Sequence, residues 1–232
     1  MATMANAMPA RPLLLICAIA LAHAGAYIVH QRPDWNVAWT DQAGYQRLGE
    51  VLALTGKFTR YPDSPTFIPE VIRTPGYPAF VALVYRVFGI GNQMALVIAQ
   101  ALVFAGLCVI VFAVTRRIMS ERTALLAALL TALFAPLPYF GALAVTELWT
   151  TFVMTLAMLA CWRAVQTGRV AVYAVAGALF SLTTLIRPAF VLLPFFLAVA
   201  VPILVPEQRQ RRALAGWAAL SIAALITLAP WF

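Results

Sequence analysis

Two carboxylates and two guanidiniums, Asp41, Glu147, Arg73 and Arg187, stand at the borders of long apolar stretches in this sequence. An ionisable group at membrane depth is expensive, so such groups pair with one another or line a polar cavity. Arginine offers a planar fork of donors to phosphate oxygens, and a carboxylate can take a proton from an attacking hydroxyl. The combination suits an anionic, phosphate-bearing substrate. Each residue also has a plainer reading. Asp41 can cap a surface helix that starts there, and Glu147, next to Thr146, can answer the dipole of the helix it opens. Arg73 and Arg187 can snorkel to the interface as anchors. Trp35, Trp39, Tyr77 and Trp149 read most simply as an interfacial aromatic belt.

Composition says what must position these groups. The 232 residues are 63% hydrophobic and only 10% charged, whereas soluble domains carry about 25% charged residues. Apolar runs recur near the ~20 residues a helix needs to cross the hydrocarbon core, and the alternating segments of a transmembrane barrel are missing. The class is an all-α polytopic membrane bundle. Net charge is +8, concentrated in short connecting loops, so it reports orientation and not a nucleic-acid partner. Cys17, Cys108 and Cys161 lie singly in apolar runs and read as small buried hydrophobes. His23 and His30 lack partners at ligand spacing, and no metal site is expected.

The polar segment 31–77 separates the first apolar run from the rest and holds five of the eight acidic residues (Asp34, Asp41, Glu50, Asp63, Glu70). Within it, Tyr45, Leu48 and Leu52 recur at helical spacing opposite Gln42, Gln46, Arg47 and Glu50. The pattern predicts an amphipathic helix over 41–54 lying at the membrane surface. Gly56 ends it, and 57–72, with Pro62, Pro65 and Pro69, is irregular. A short helix over 78–88 starts at Pro78, ends at Gly89, and is too short to span.

Seven spans are expected, at about 12–29, 94–114, 124–143, 147–162, 170–186, 189–205 and 213–232. Pro136 and Pro138 break the third near its end. Ala22-His23-Ala24 resembles a signal-peptidase site, but the run continues to Val29, so the first span is expected to be retained. Loops 115–123, 163–169 and 206–212 are rich in arginine. The positive-inside rule puts them, with the N-terminus and Arg11, in the cytoplasm. Counting spans then places 31–77, the 143–147 turn and the 187–188 junction together on the opposite face. Arg187 there runs against the charge bias, which favours a functional role.

The order of motifs carries a resemblance. An apolar span leads to Thr40-Asp41-x-x-x-Tyr45, a surface helix, Arg73-Thr74-Pro75-Gly76-Tyr77-Pro78, a short helix and a span bearing Gln100. Thr146-Glu147 then heads a span, followed by Leu185-Ile186-Arg187-Pro188 and Ala229-Pro230-Trp231. Nearly the whole chain, 1–232, resembles the N-terminal half of the bacterial GT-C glycosyltransferases, the group related to protein O-mannosyltransferases and the lipid A aminoarabinose transferase. The resemblance implies a single transmembrane domain with a large exoplasmic first loop and an essential acid near its start, a position that Asp41 matches. It implies an enzyme of the inner membrane and cell envelope that takes a sugar from a polyprenyl-phosphate carrier. The sugar passes, with inversion, to an acceptor hydroxyl or amine on a lipid, protein or polysaccharide. Asp41 would be the general base and Glu147 a second acid placing the acceptor. Arg73 and Arg187 would hold the carrier phosphate, with Tyr45 and Tyr77 among the substrate-binding candidates. No cofactor is expected beyond the lipid-linked donor, since arginine can supply the electrostatics.

The family pattern usually continues past the Pro-Trp motif, with more spans and a C-terminal exoplasmic domain. The chain is therefore expected to lack the C-terminal part of the fold. Two other readings stay open: a truncated, non-catalytic subunit or remnant that binds lipid or a partner, and a transporter or flippase. Against the transporter stand the lack of an internal repeat and the gathering of charge at one face.

Overall fold

In the computed structural model, residues 10–32, 35 and 41–231 are described. Trp39, Thr40 and Asp34 lie outside them. The described residues form ten α-helices and no strand: α1 (Ala10–Gln31), α2 (Asp41–Thr55), α3 (Gly76–Phe88), α4 (Gln93–Ile118), α5 (Glu121–Leu133), α6 (Pro136–Gly141), α7 (Glu147–Thr167), α8 (Val170–Ile186), α9 (Leu193–Leu204) and α10 (Arg211–Leu228). The chain is an all-α membrane helical bundle.

Four helices are long and apolar enough to cross a membrane by length and composition: α1, α4, α7, and α10 with its extension to Trp231. The remaining expected spans are shorter pieces. The stretch 124–143 divides into α5 and α6, since Pro136 and Pro138 lack the N–H groups that would continue α5. At 13 residues, α5 is about 20 Å long. Pro136 also leaves the Ala132 carbonyl without its helical donor, and the Nδ1–H of His23 on α1 supplies one at 2.8 Å. Pro206 does the same to the Pro202 carbonyl at the end of α9, where Arg209 donates from Nε at 2.9 Å. Both residues satisfy a carbonyl that a proline orphaned.

Three cores hold the bundle. Where α1, α4 and α5 meet, Ile16, Ala20, Phe104, Cys108 and Phe112 pack on a stripe of Ala124, Ala128 and Ala132. These alanines, spaced four apart on one helix face, let the neighbouring helices come close. At the other side, Ala157, Tyr173, Ala176, Phe180, Trp217 and Leu220 join α7, α8 and α10. Between them, Tyr77, Val81, Tyr85, Leu96, Val153 and Ile186 seat α3 on α4, α7 and α8. This middle core is the floor beneath the charged residues.

The surface-helix expectation holds for extent, with α2 running Asp41–Thr55. Its outer face differs at one position. Gln42, expected among the polar opposing residues, is buried. Its Oε1 accepts the Ala144 backbone N–H at 2.9 Å, satisfying a turn amide that no helix bonds. α3 starts two residues before the expected Pro78, at Gly76, and ends at Gly89 as expected, with φ 104° there. Arg86 on α3 donates to the Ala53 and Leu52 carbonyls at 3.0 and 3.2 Å, closing the C-terminus of α2.

Candidate functional site

Four separate local causes bring the charged residues to one end of the bundle. Asp41 is the first residue of α2. Arg73 lies three residues before α3, and its backbone N–H is held by Glu70 Oε1 at 3.1 Å. Glu147 is the first residue of α7. Arg187 ends α8 in extended backbone, φ −142° and ψ 107°, because the following Pro188 excludes the helical conformation there. The side chain therefore leaves the helix instead of stacking along it. Gly76 completes the convergence. A Cβ at this position would lie 2.7 Å from the Leu185 carbonyl oxygen, so only glycine lets the start of α3 press against the end of α8.

The result is two ion pairs around one cavity. Arg73 Nη2 donates to Asp41 Oδ1 at 2.6 Å. Arg187 Nη1 donates to Glu147 Oε1 at 3.3 Å. Asp41 is 77% exposed and Arg73 15%, while Glu147 and Arg187 are 33% and 47% exposed. Pairs with so exposed a partner contribute about 0–1 kcal/mol, so stability does not account for their placement. The second oxygen of Glu147 is buried without a hydrogen-bond partner among the described residues.

Asp41, Tyr45, Thr146, Glu147 and Arg187 line a cavity of about 310 Å³. Beside it runs an apolar groove of similar size, formed by Val71, Ile72, Leu185, Leu228 and Trp231, with Arg73 also on its wall. Pro188 lines both. The site therefore offers a polar compartment with two carboxylates next to an apolar one, with a guanidinium between.

Tyr45, on the wall of the polar cavity, touches the guanidinium at the border. Its ring lies under Arg73, with Cζ 5.1 Å from the centroid, and meets Tyr77 edge-on at 5.2 Å. Burial pushes its phenol above the ordinary 10, against the opposing effects of Arg73 and a hydrogen bond with Thr146. The hydroxyl stays neutral at physiological pH and serves as a hydrogen-bonding group. Tyr77 is placed differently. It is 1% exposed, donates its hydroxyl to Gln100 Oε1 at 2.9 Å, and lines neither cavity. Its position supports Tyr45 from below. Of the expected site residues, Asp41, Tyr45, Glu147 and Arg187 share one cavity, Arg73 reaches it through Asp41, and Tyr77 sits in the core.

A latch that sequence reasoning left without a role holds this arrangement. Gln100 is fully buried and donates its amide to the Gly141 and Leu143 carbonyls at 2.9 and 2.8 Å. With Gln42 on the Ala144 amide, it fixes the turn that delivers Thr146 and Glu147 to Asp41. The only trace in the sequence is one glutamine inside an apolar run, which by itself does not say what it bonds.

The segment 57–72, expected to be irregular, is ordered by a buried carboxylate. Glu70 pairs with Arg60 and accepts the Ile72 amide at 2.7 Å as well as that of Arg73. Thr59, 1% exposed, bonds the Ile68 carbonyl at 2.5 Å. Burial works to raise the Glu70 pKa, but Arg60 and the two amides outweigh it and hold the carboxyl below its ordinary value. No cluster of three or more His, Cys, Asp or Glu able to hold a metal occurs among the described residues.

A family model matches most of the chain. The model of the family described as dolichyl-phosphate-mannose-protein mannosyltransferase covers residues 72–232. That stretch takes in Arg73, Glu147 and Arg187, and leaves Asp41 and Tyr45 before it. No curated protein matches the chain significantly.

Proposed function

The chain belongs to the dolichyl-phosphate-mannose-protein mannosyltransferase family of GT-C membrane glycosyltransferases, and from that premise we propose that it moves a sugar from a polyprenyl-phosphate carrier to an acceptor hydroxyl or amine. The observation that carries this reading is the cavity itself. Asp41 and Glu147, 106 positions apart in the chain, line one polar pocket that adjoins an apolar groove, with Arg73 at the boundary. A lipid-linked sugar phosphate has the same three parts: a polar sugar, an anion, and an apolar tail.

In this reading the acceptor oxygen attacks the anomeric carbon from the face opposite the phosphate, so configuration inverts. The acceptor proton passes to the Asp41 carboxylate. The bond between the anomeric carbon and the phosphate oxygen breaks, and polyprenyl phosphate leaves with the electron pair. Arg73 and Arg187 stabilise the negative charge growing on that oxygen, which is where preorganised donors matter most. Glu147, with one oxygen free of partners among the described residues, holds a hydroxyl or amine of the acceptor. The reaction needs no cofactor besides the donor in this scheme. By the positive-inside rule, the arginine-rich end faces the cytoplasm of a bacterial inner membrane and the site faces outward.

The test is Asp41→Asn in membranes carrying radiolabelled polyprenyl-phosphate sugar. General-base loss should lower transfer ~10²–10⁴-fold with insertion and carrier binding unchanged. Normal transfer by the variant removes Asp41 from the mechanism. Carrier binding with no transfer by the unaltered chain would instead support a lipid-binding subunit.

A further inference from the structure

Arg73 can reach Asp41 only because of a residue that touches neither cavity. Gly44 lies on α2 between the two partners of that guanidinium, three residues after Asp41 and one before Tyr45. A Cβ at this position would stand 2.6 Å from Arg73 Cζ and 2.8 and 2.9 Å from its two terminal nitrogens. Those three atoms are the nearest neighbours, and all belong to one side chain. Backbone conformation does not require glycine here, since Gly44 is not among the positive-φ residues. The closest constraint is not helix backbone either, since the three nearest atoms are all in the Arg73 guanidinium. Gly49, one turn and a half further on, is the contrast: its Cβ would strike Val81 of α3 at 2.4 Å.

We propose that Gly44 is a positioning residue, the seat across which Arg73 lies between the Asp41 carboxylate and the Tyr45 ring, at the border of the polar cavity and the apolar groove. The seat explains how Arg73 is 15% exposed while its carboxylate partner is 77% exposed. The guanidinium is laid flat against bare helix backbone, and the carboxylate stands open to whatever enters the cavity. The three atoms a methyl group at position 44 meets first are the far end of a flexible side chain. The helix itself tolerates alanine better than glycine.

The inference rests on the proposed reaction only where activity is the readout, so the experiment has a second arm. Full-length Gly44→Ala is purified in detergent, and Arg73 modification by phenylglyoxal is followed by mass spectrometry, with the other arginines as internal references. Arg73 should be modified faster in the variant, with a melting temperature equal to or above that of the unaltered chain. Transfer should fall, up to ~10²-fold for a guanidinium displaced by about 1 Å. In an Arg73→Ala background, adding Gly44→Ala should cost nothing further, because contacting residues are non-additive. Unchanged labelling of Arg73, or an equal loss of transfer in both backgrounds, overturns the proposal. If Gly44→Ala fails to fold, recovery on adding Arg73→Ala supports the seat, and failure to recover overturns it. Labelling that responds while Asp41→Asn keeps full activity leaves the seat standing and refutes the reaction instead.

Discussion

Two groups of arginines in this bundle, one beside the site and one at the other end, are used in opposite ways. At the site end, Arg73 and Arg187 are each matched to a carboxylate from a distant part of the chain, Asp41 and Glu147, and Arg60 to Glu70 ten residues on. At the other end, Arg163, Arg169 and Arg211 are exposed, and Arg209 and Arg212 donate to the main-chain carbonyls of Pro202, Ile203 and Gly168. Arginine on backbone carbonyls finishes helix ends and gives the charge bias that orients a membrane protein. Arginine on carboxylates beside a cavity creates a local field that a ligand can alter. The difference teaches that residue type alone is uninformative here. What separates the two groups is the company that arginine keeps.

The sharpest way to break the comparison is to remove one member of each class. Arg73→Ala should reduce transfer by ~10²–10³-fold, the loss typical of a donor aimed at developing charge, whereas Arg211→Gln should leave transfer within about twofold. Equal losses in labelled-sugar assays would erase the distinction between the ends. Glu147→Gln keeps the shape of the side chain and removes its charge. It should weaken acceptor use more than donor use, seen as a rise in KM for the acceptor.

The latch beneath the site gives a third, stability-based measurement. Gln100→Leu strips a partner from the Gly141 carbonyl and the Tyr77 hydroxyl, while the Leu143 carbonyl keeps the Val145 amide. Each buried polar group left unsatisfied costs ~1–3 kcal/mol, so the melting temperature should drop, with transfer falling alongside as Glu147 loses its fixed position. A normal melting temperature would mean the turn is held elsewhere.

A fourth prediction concerns pH. The Glu70 pKa is lowered in the folded chain, so its carboxylate contributes stability above the ordinary glutamate value of 4.5. That contribution is lost as pH falls through the lower folded value. Hydrogen exchange across 57–73 should accelerate below that ordinary value before the helices loosen, and Glu70→Gln should remove the dependence. The smallest effect belongs to Arg47→Ala. Arg47 is 51% exposed, in an i,i+3 pair with Glu50, and such pairs contribute about 0.2–0.5 kcal/mol.

Much of the site was legible in the sequence because the alternation of charge and apolar runs is written there. Arginine-rich loops alternating with apolar runs bring residues 41, 73, 147 and 187 to one end, and lone charges at such borders are conspicuous. The latch was not legible. Gln100 and Gln42 are uncharged, and nothing local distinguishes a glutamine that satisfies a distant turn from one that faces solvent. Where the Tyr77 side chain points was not legible for a related reason. It sits in the same motif as Arg73, but helical periodicity turns its side chain into the core, where Gln100 takes the hydroxyl.

Composition, hydrophobic period and proline placement by themselves determined the helical membrane class, the break after α5, the extended backbone at Arg187 and the gathering of the chemical residues at one end. These follow from solvent exclusion and backbone sterics, which act over a few residues at a time. Only the tertiary structure decided which arginine met which carboxylate, that the polar cavity and apolar groove share a wall at Pro188, and that Gly44 must be bare. Those outcomes depend on distances of a few ångströms between segments far apart in the chain, and packing alone sets such distances.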